Sequence, residues 1–148
     1  METPSRSDWG DVDRGDLDAA WAFDTFSGKT FQEARALFAE HALYYQENLL
    51  SMPPVPFRFY LRAFIDYVDS DDASGDSDGA ASFLALVIEA LERHRAVLDR
   101  ASEDLLIATA RRIASRQDFY NADVSIYGDF RDQFRRIARP PLLFDRRN

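Results

Sequence analysis

Apolar residues recur at the spacing of an α-helix along most of the chain. In residues 31–50 they fall three or four positions apart, at Phe31, Ala34, Phe38, His41, Ala42, Tyr45 and Leu49. The same period predicts helices over 57–69, 80–94, 103–117 and 127–138, and the stretch DLDAAWAFDTF holds one short helix more. The pattern therefore predicts an all-α protein, a compact bundle of about five to six helices.

Short-range signals indicate where these helices begin and end. Thr30 followed by Glu33 is a capping box, which starts a helix at residue 31. The prolines of SMPPVP end that helix, and Pro56 suits the first turn of the next one. Ser102 is the expected cap of the helix over 103–117.

The helix over 57–69 is apolar on nearly every side. Its polar residues lie three or four positions apart and form one narrow edge, at Arg58, Arg62, Asp66 and Asp69. A helix that is polar along only one edge is expected at the centre of a bundle. We therefore expect Phe64 on this helix, and Leu84 on the apolar helix over 80–94, to lie in the core.

The 148 residues have the length of one ordinary domain, and we predict a single helical domain over 1–148. Residues 1–15 show no periodicity and are expected to form a loose N-terminus. Residues 140–148 form a C-terminal tail that either docks through Leu142, Leu143 and Phe144 or stays loose. The form of the aromatic segment 118–127 is left open, because its short SIY run is a weak strand signal.

Composition restricts the chemistry and the expected location of the protein. The chain has no cysteine, which excludes disulfides and thiolate metal sites. Its polar, acidic N-terminal sequence lacks the apolar segment of a secretory signal. No apolar run approaches the roughly 20 residues that span a bilayer. These features predict a cytoplasmic protein with no membrane partner.

The charge of the chain is unevenly distributed. The formal net charge is −8. Residues 1–78 contain 16 acidic and 6 basic residues, a net of −10, whereas residues 79–148 contain 10 acidic and 12 basic residues, a net of +2. This distribution argues against a nucleic-acid partner, because phosphate binding needs clustered positive charge. It favours a basic or Arg-rich protein partner, and the alternative is that it serves solubility alone.

The stretch DSDDASGDSDG at 69–79 is the most acidic of the chain. In the best register for a calcium loop, serine occupies the first position and Ala85 the twelfth, so two carboxylate ligands are missing. Aspartates before a helix also cap its free amides. We therefore interpret 69–79 as a connector, with Asp78 as the expected cap of the next helix, and predict no calcium site.

Sequence signatures of catalysis and of cofactor binding are missing. His41 and His94 do not stand in metal-ligand spacing, and His41 is expected to be buried on an apolar helix face. No phosphate loop, dinucleotide-binding turn or nucleophile elbow is present. We assign no catalytic residue, no metal ligand and no cofactor, and an enzyme is the less favoured hypothesis.

Two hypotheses for function remain, with a homo-oligomer as a third. The first is a small acidic protein-binding protein that neutralises a basic partner, as bacterial immunity proteins neutralise toxins. The alternative is a small helical enzyme or ligand-binding bundle of unknown substrate, which depends on two polar-aromatic segments. The candidate partner-binding residues are Asp69, Asp71, Asp72 and Asp76 in the connector, Tyr44, Glu47 and Asn48 in the first polar-aromatic segment, and Tyr120 and Asp123 in the second.

Overall fold

The computed structural model describes residues 2–138, and this part of the chain has seven α-helices and no strand. The prediction of an all-α bundle is confirmed, with one or two helices more than expected. The helices are α1 (Leu17–Phe26), α2 (Phe31–Tyr45), α3 (Pro54–Val68), α4 (Ser77–Arg93), α5 (Arg100–Ala114), α6 (Val124–Tyr127) and α7 (Phe130–Ala138). Short 3-10 helices occupy Arg6–Trp9, Gln46–Ser51, Asp71–Ala73, Arg95–Val97 and Gln117–Tyr120.

Helices α3 and α4 supply most of the core, and α2 packs across both of them. The ring of Phe64 on α3 stacks on Phe38 of α2 with 4.6 Å between centroids, and meets the edge of Phe83 on α4 at 5.1 Å. Phe64 and Leu84 both have no exposed surface, which confirms their expected place in the core.

The predicted polar edge of α3 faces neighbouring helices across ion pairs. Arg58 lies 3.3 Å from the Asp99 carboxylate, Asp66 lies 2.7 Å from Arg35, and Asp69 lies 2.7 Å from Arg112. The edge therefore joins the central helix to α2 and to both ends of α5.

Two helix starts differ in how well the sequence located their caps. The Thr30–Glu33 capping box is present, with both reciprocal hydrogen bonds formed. At α5 the cap is Asp99, whose carboxylate accepts the Ser102 amide at 2.7 Å, so the expected Ser102 cap is wrong. A carboxylate three residues before a free amide serves as well as the hydroxyl that we expected.

The N-terminal segment differs from the expected loose terminus at Trp9. This ring is 4% exposed and packs edge-on against Phe23 at 5.4 Å and beside Tyr60 at 6.2 Å. A single large ring buries enough apolar surface to hold a segment that has no periodic pattern of its own.

Helix α2 is interrupted at His41, whose backbone is extended (φ −158°, ψ 75°). The side chain is exposed, so the expectation of a buried histidine is wrong. Its Nδ1 accepts a hydrogen bond from the Tyr44 amide at 3.3 Å, in the manner of a cap for the last turn. The break turns His41 itself outward, while Ala42 and Leu49 beyond it remain buried in the core.

The segment that the sequence left open, 118–127, is helical. It comprises the end of the 3-10 helix Gln117–Tyr120 and the single turn of α6, which contains the SIY run. Asn121 joins them in a left-handed conformation (φ 54°), which asparagine adopts more readily than most residues. The expected tail at 140–148 lies outside the described residues. No helix within 2–138 is both long and apolar enough to cross a membrane.

Candidate functional site

The acidic connector is tied to the rest of the bundle by two arginines. Arg112 on α5 donates to Asp69 at 2.7 Å, and Arg35 on α2 donates to Asp72 at 3.0 Å and to Asp66 at 2.7 Å. Burial of Ala73 and a hydrogen bond from the Gly75 amide to the Phe119 carbonyl at 3.0 Å hold the loop further. These carboxylates already have internal partners.

Asp76, not Asp78, caps α4. Its Oδ1 accepts the Gly79 amide at 2.9 Å and its Oδ2 accepts the hydroxyl of Tyr67 at 2.6 Å. Asp78 instead accepts the hydroxyl of Tyr127 at 2.7 Å. The connector therefore starts a helix as expected, but through a residue two positions earlier. Burial, together with the bond to Asp76, raises the pKa of the Tyr67 phenol.

Asp71 is the one connector candidate that is free of internal contacts within the described chain. It is exposed, and no residue between 2 and 138 forms a hydrogen bond or ion pair with its side chain. The connector carboxylates diverge toward separate partners, and the described residues contain no cluster of three or more side chains placed to hold a metal ion.

The first polar-aromatic segment is divided between surface and core. Tyr44 is 47% exposed and meets the rings of Trp21 and Tyr45 edge-on at 5.2 and 5.0 Å. Glu47 is exposed. Asn48 is buried and donates to the Tyr45 carbonyl at 3.3 Å, while its Oδ1 has no partner within the described chain.

The second polar-aromatic segment serves the fold. Tyr120 has no exposed surface, donates to the Val68 carbonyl at 2.8 Å and accepts from Arg116 at 2.7 Å. Burial raises the pKa of its phenol. Asp123 caps α6, and its hydrogen bonds with Ser125 lower the pKa of the carboxyl group. Neither Tyr120 nor Asp123 reaches the depressions described next.

A depression of about 460 Å³ lies between the start of α1, the segment Gln46–Ser51 and α4. We call it the carboxylate depression. Six polar and three apolar residues line it: Asp18, Gln46, Glu47, Leu50, Ser51, Ala85, Leu86, Glu89 and His94. Of the residues proposed from sequence, only Glu47 lies in it.

Two of the three carboxylates in this depression have no cationic partner within the described residues. No residue within 2–138 forms a hydrogen bond or ion pair with the side chain of Asp18 or of Glu47. Glu89 lies 3.5 Å from Arg93 and 3.9 Å from His94, and all of these side chains are solvent-exposed to a substantial degree. The depression is therefore a concave surface of negative charge.

An apolar groove of about 260 Å³ adjoins the carboxylate depression. The two share Leu50 and His94 as a common wall. The groove is lined by Leu50, Met52, Pro54, Phe57, His94, Val97 and Leu98. Val97 is 73% exposed. Sequence reasoning missed this groove, and the signal was the pair Val97–Leu98 inside an otherwise polar helix connection.

A third depression, of about 410 Å³, lies beside the break in α2. It is lined by residues 39–43 and by Tyr67, Ser74, Gly75, Asp76 and Asp78. Two of its carboxylates, those of Asp76 and Asp78, already accept tyrosine hydroxyls. It therefore offers less unpaired charge than the carboxylate depression.

Comparison with protein-family models, curated proteins and solved structures finds no match for this chain. Function is therefore inferred from the geometry and charge of the described residues.

Proposed function

We propose that this chain is a small protein-binding protein that receives a basic segment of a partner in the carboxylate depression. The supporting observation is that Asp18 and Glu47 line a concave surface with Glu89 and have no cationic partner within the described chain. A cationic side chain of a partner would be attracted to these unpaired carboxylates.

The charge of the whole chain supports the same kind of partner. A net charge of −8, concentrated in the first 78 residues, attracts basic proteins over a distance set by the ionic strength. An acidic protein that neutralises a basic toxin, as immunity proteins do, is the biological setting that we propose for such binding.

The experiment measures association with a basic partner captured from the native host. Rates are compared at ionic strengths of about 0.01 M and 0.15 M, where the Debye length is about 30 Å and 8 Å. We expect association to be clearly slower at the higher ionic strength. A rate that does not depend on salt would contradict electrostatic steering.

Two matched double variants locate the contact. Asp18→Asn with Glu47→Gln neutralises two carboxylates of the depression, and Asp71→Asn with Glu40→Gln neutralises two exposed carboxylates elsewhere. Both change the net charge equally, so steering by net charge affects them alike. We expect the first pair to weaken binding about tenfold and the second less than about twofold. Equal effects would show that only net charge matters, and a larger effect of the second pair would move the contact to the connector or to the depression beside the α2 break, which Glu40 lines.

A further inference from the structure

The apolar groove lies directly beside the carboxylate depression, and this adjacency restricts what can bind. Apart from His94, every side chain that lines the groove is apolar. Its volume of about 260 Å³ falls below the roughly 300–1,000 Å³ of pockets that enclose whole small ligands. A groove of this size accommodates one or two apolar side chains of a larger partner.

The architecture also restricts the conformation of the partner segment. Addition of a strand to a sheet edge needs a strand, and residues 2–138 contain none. Polyproline segments dock on aromatic-lined grooves, whereas Phe57 is the only aromatic ring in this lining. An amphipathic helix laid into a groove is the common mode in which apolar side chains act as anchors, as this apolar lining requires.

We propose that the partner contributes an amphipathic helix that carries a Leu, Met or Phe three or four residues from an Arg or Lys. The apolar side chain fills the groove at Val97 and Leu98, and the basic side chain enters the carboxylate depression. Residues three or four apart are neighbours on one helix face, and the two sites share a wall formed by Leu50 and His94. This inference rests on the proposed function and adds the sequence pattern of the partner.

The test is selection of peptides from a phage-displayed random library of about 15 residues, roughly four helical turns, against the full chain. We expect the enriched peptides to share an apolar residue three or four positions from Arg or Lys. The leading peptide is then synthesised, and its affinity is measured for the parent chain and for variants of the groove.

The groove variants are Val97→Asp and the milder Val97→Ser, with Ile126→Asp as the matched control. Val97 and Ile126 are both 73% exposed, and Ile126 lies outside the groove lining. We expect Val97→Asp to weaken peptide binding at least about tenfold and Val97→Ser severalfold, with unchanged circular dichroism. Ile126→Asp is expected to change affinity less than about twofold, because surface substitutions away from a contact have small effects.

Several outcomes would overturn the inference. The inference is wrong if the selection yields no binding peptide, or if the enriched peptides lack the apolar or the basic residue. It is also wrong if the Val97→Asp variant binds the leading peptide as well as Ile126→Asp does. If peptides bind only after removal of residues 139–148, the chain's own LLFDRR sequence competes for the groove and an external helix is not its occupant. If the chain self-associates and Val97→Asp abolishes that, the occupant is a second copy.

The same variants separate this inference from the proposed function. If neutralising Asp18 and Glu47 weakens the native partner while Val97→Asp does not, the acidic contact stands and the helical pattern is wrong. If neither change affects the native partner, both are wrong.

Discussion

The link between Tyr67, Asp76 and the first turn of α4 gives the most direct test of how the connector is held. Replacing Asp76 with Ala removes two interactions at once, the cap on the Gly79 amide at 2.9 Å and the acceptor of the Tyr67 hydroxyl at 2.6 Å. Loss of an N-cap costs about 0.5–2 kcal/mol. A hydrogen bond to a charged group contributes about 1.5–3 kcal/mol.

The exposure of Tyr67 and Asp76 determines how much stability Asp76→Ala removes within the sum of these two ranges. Tyr67 is only 3% exposed, but it and Asp76 both line the depression beside the α2 break. Water can therefore replace the carboxylate at the hydroxyl, which lowers the cost of leaving it unpaired. We expect Asp76→Ala to lower the free energy of unfolding by about 2–3 kcal/mol, toward the lower end of the summed range.

The assay is equilibrium urea denaturation. The free energies of unfolding of the variants are compared with the same slope of free energy against urea concentration for each of them. Asp71→Ala is the control, because its carboxylate has no internal partner within 2–138, and it should change stability by less than about 0.5 kcal/mol. Tyr67→Phe, alone and with Asp76→Ala, measures the coupling of the two side chains, which we expect to exceed about 0.5 kcal/mol. If Asp76→Ala costs no more than Asp71→Ala, or less than Asp78→Ala, the assignment of Asp76 as the cap is refuted.

Three further predictions concern the core, alkaline pH and calcium. Phe64→Ala should cost about 3–5 kcal/mol and Leu84→Ala about 2–5 kcal/mol in urea denaturation, because neither side chain has any exposed surface, and a change well under 1 kcal/mol would contradict their packing. Burial raises the pKa of Tyr60 to about 12, whereas an unfolded tyrosine has a pKa of about 10. The stability that the protonated Tyr60 phenol contributes is therefore fully present below about pH 10 and is lost as the pH rises toward 12. The urea midpoint should therefore fall over that range by more in the parent than in Tyr60→Phe, and equal falls would contradict the assignment. Calorimetry with calcium should show at most weak heat, since a calcium ion at 69–79 would have to compete with Arg112 and Arg35, and a stoichiometric site tighter than about 10 μM would contradict this.

Some short-range features of the fold were readable from the sequence because both partners lie within one helical turn, although the caps expected at Ser102 and Asp78 are Asp99 and Asp76. The Thr30–Glu33 capping box spans three residues, and the helical period of the apolar residues placed Phe64 in the core. His41 shows where periodicity fails. The spacing assigned it to a buried face, but the helix breaks at that residue and its side chain is exposed, while Ala42 and Leu49 beyond the break stay buried as the period predicts.

Long-range pairings of the candidate site could not be read from the sequence. Asp69 and Arg112 are 43 residues apart, and Arg35 and Asp72 are 37 apart, so nothing in their local sequence predicts that they pair. The apolar groove could not be read from the local sequence either, because its wall brings together Leu50 and His94, which are far apart along the chain. Glu47 could be chosen from sequence as an exposed carboxylate, but its unpaired neighbour Asp18 belongs to a different helix.

A count of acidic residues overstates the negative charge that is available to a partner. Asp69 and Asp72 are each within 3.0 Å of an arginine, and Asp76 is committed to a helix amide and a tyrosine. A partner that bound these carboxylates would first have to compete with contacts that hold the connector to α2 and α5. Asp18 and Glu47 have no such contact within the described chain to lose, so a cationic side chain does not first have to displace an arginine there. The unpaired carboxylates beside the apolar groove, more than the most acidic stretch of the sequence, are therefore where we expect a basic partner to bind.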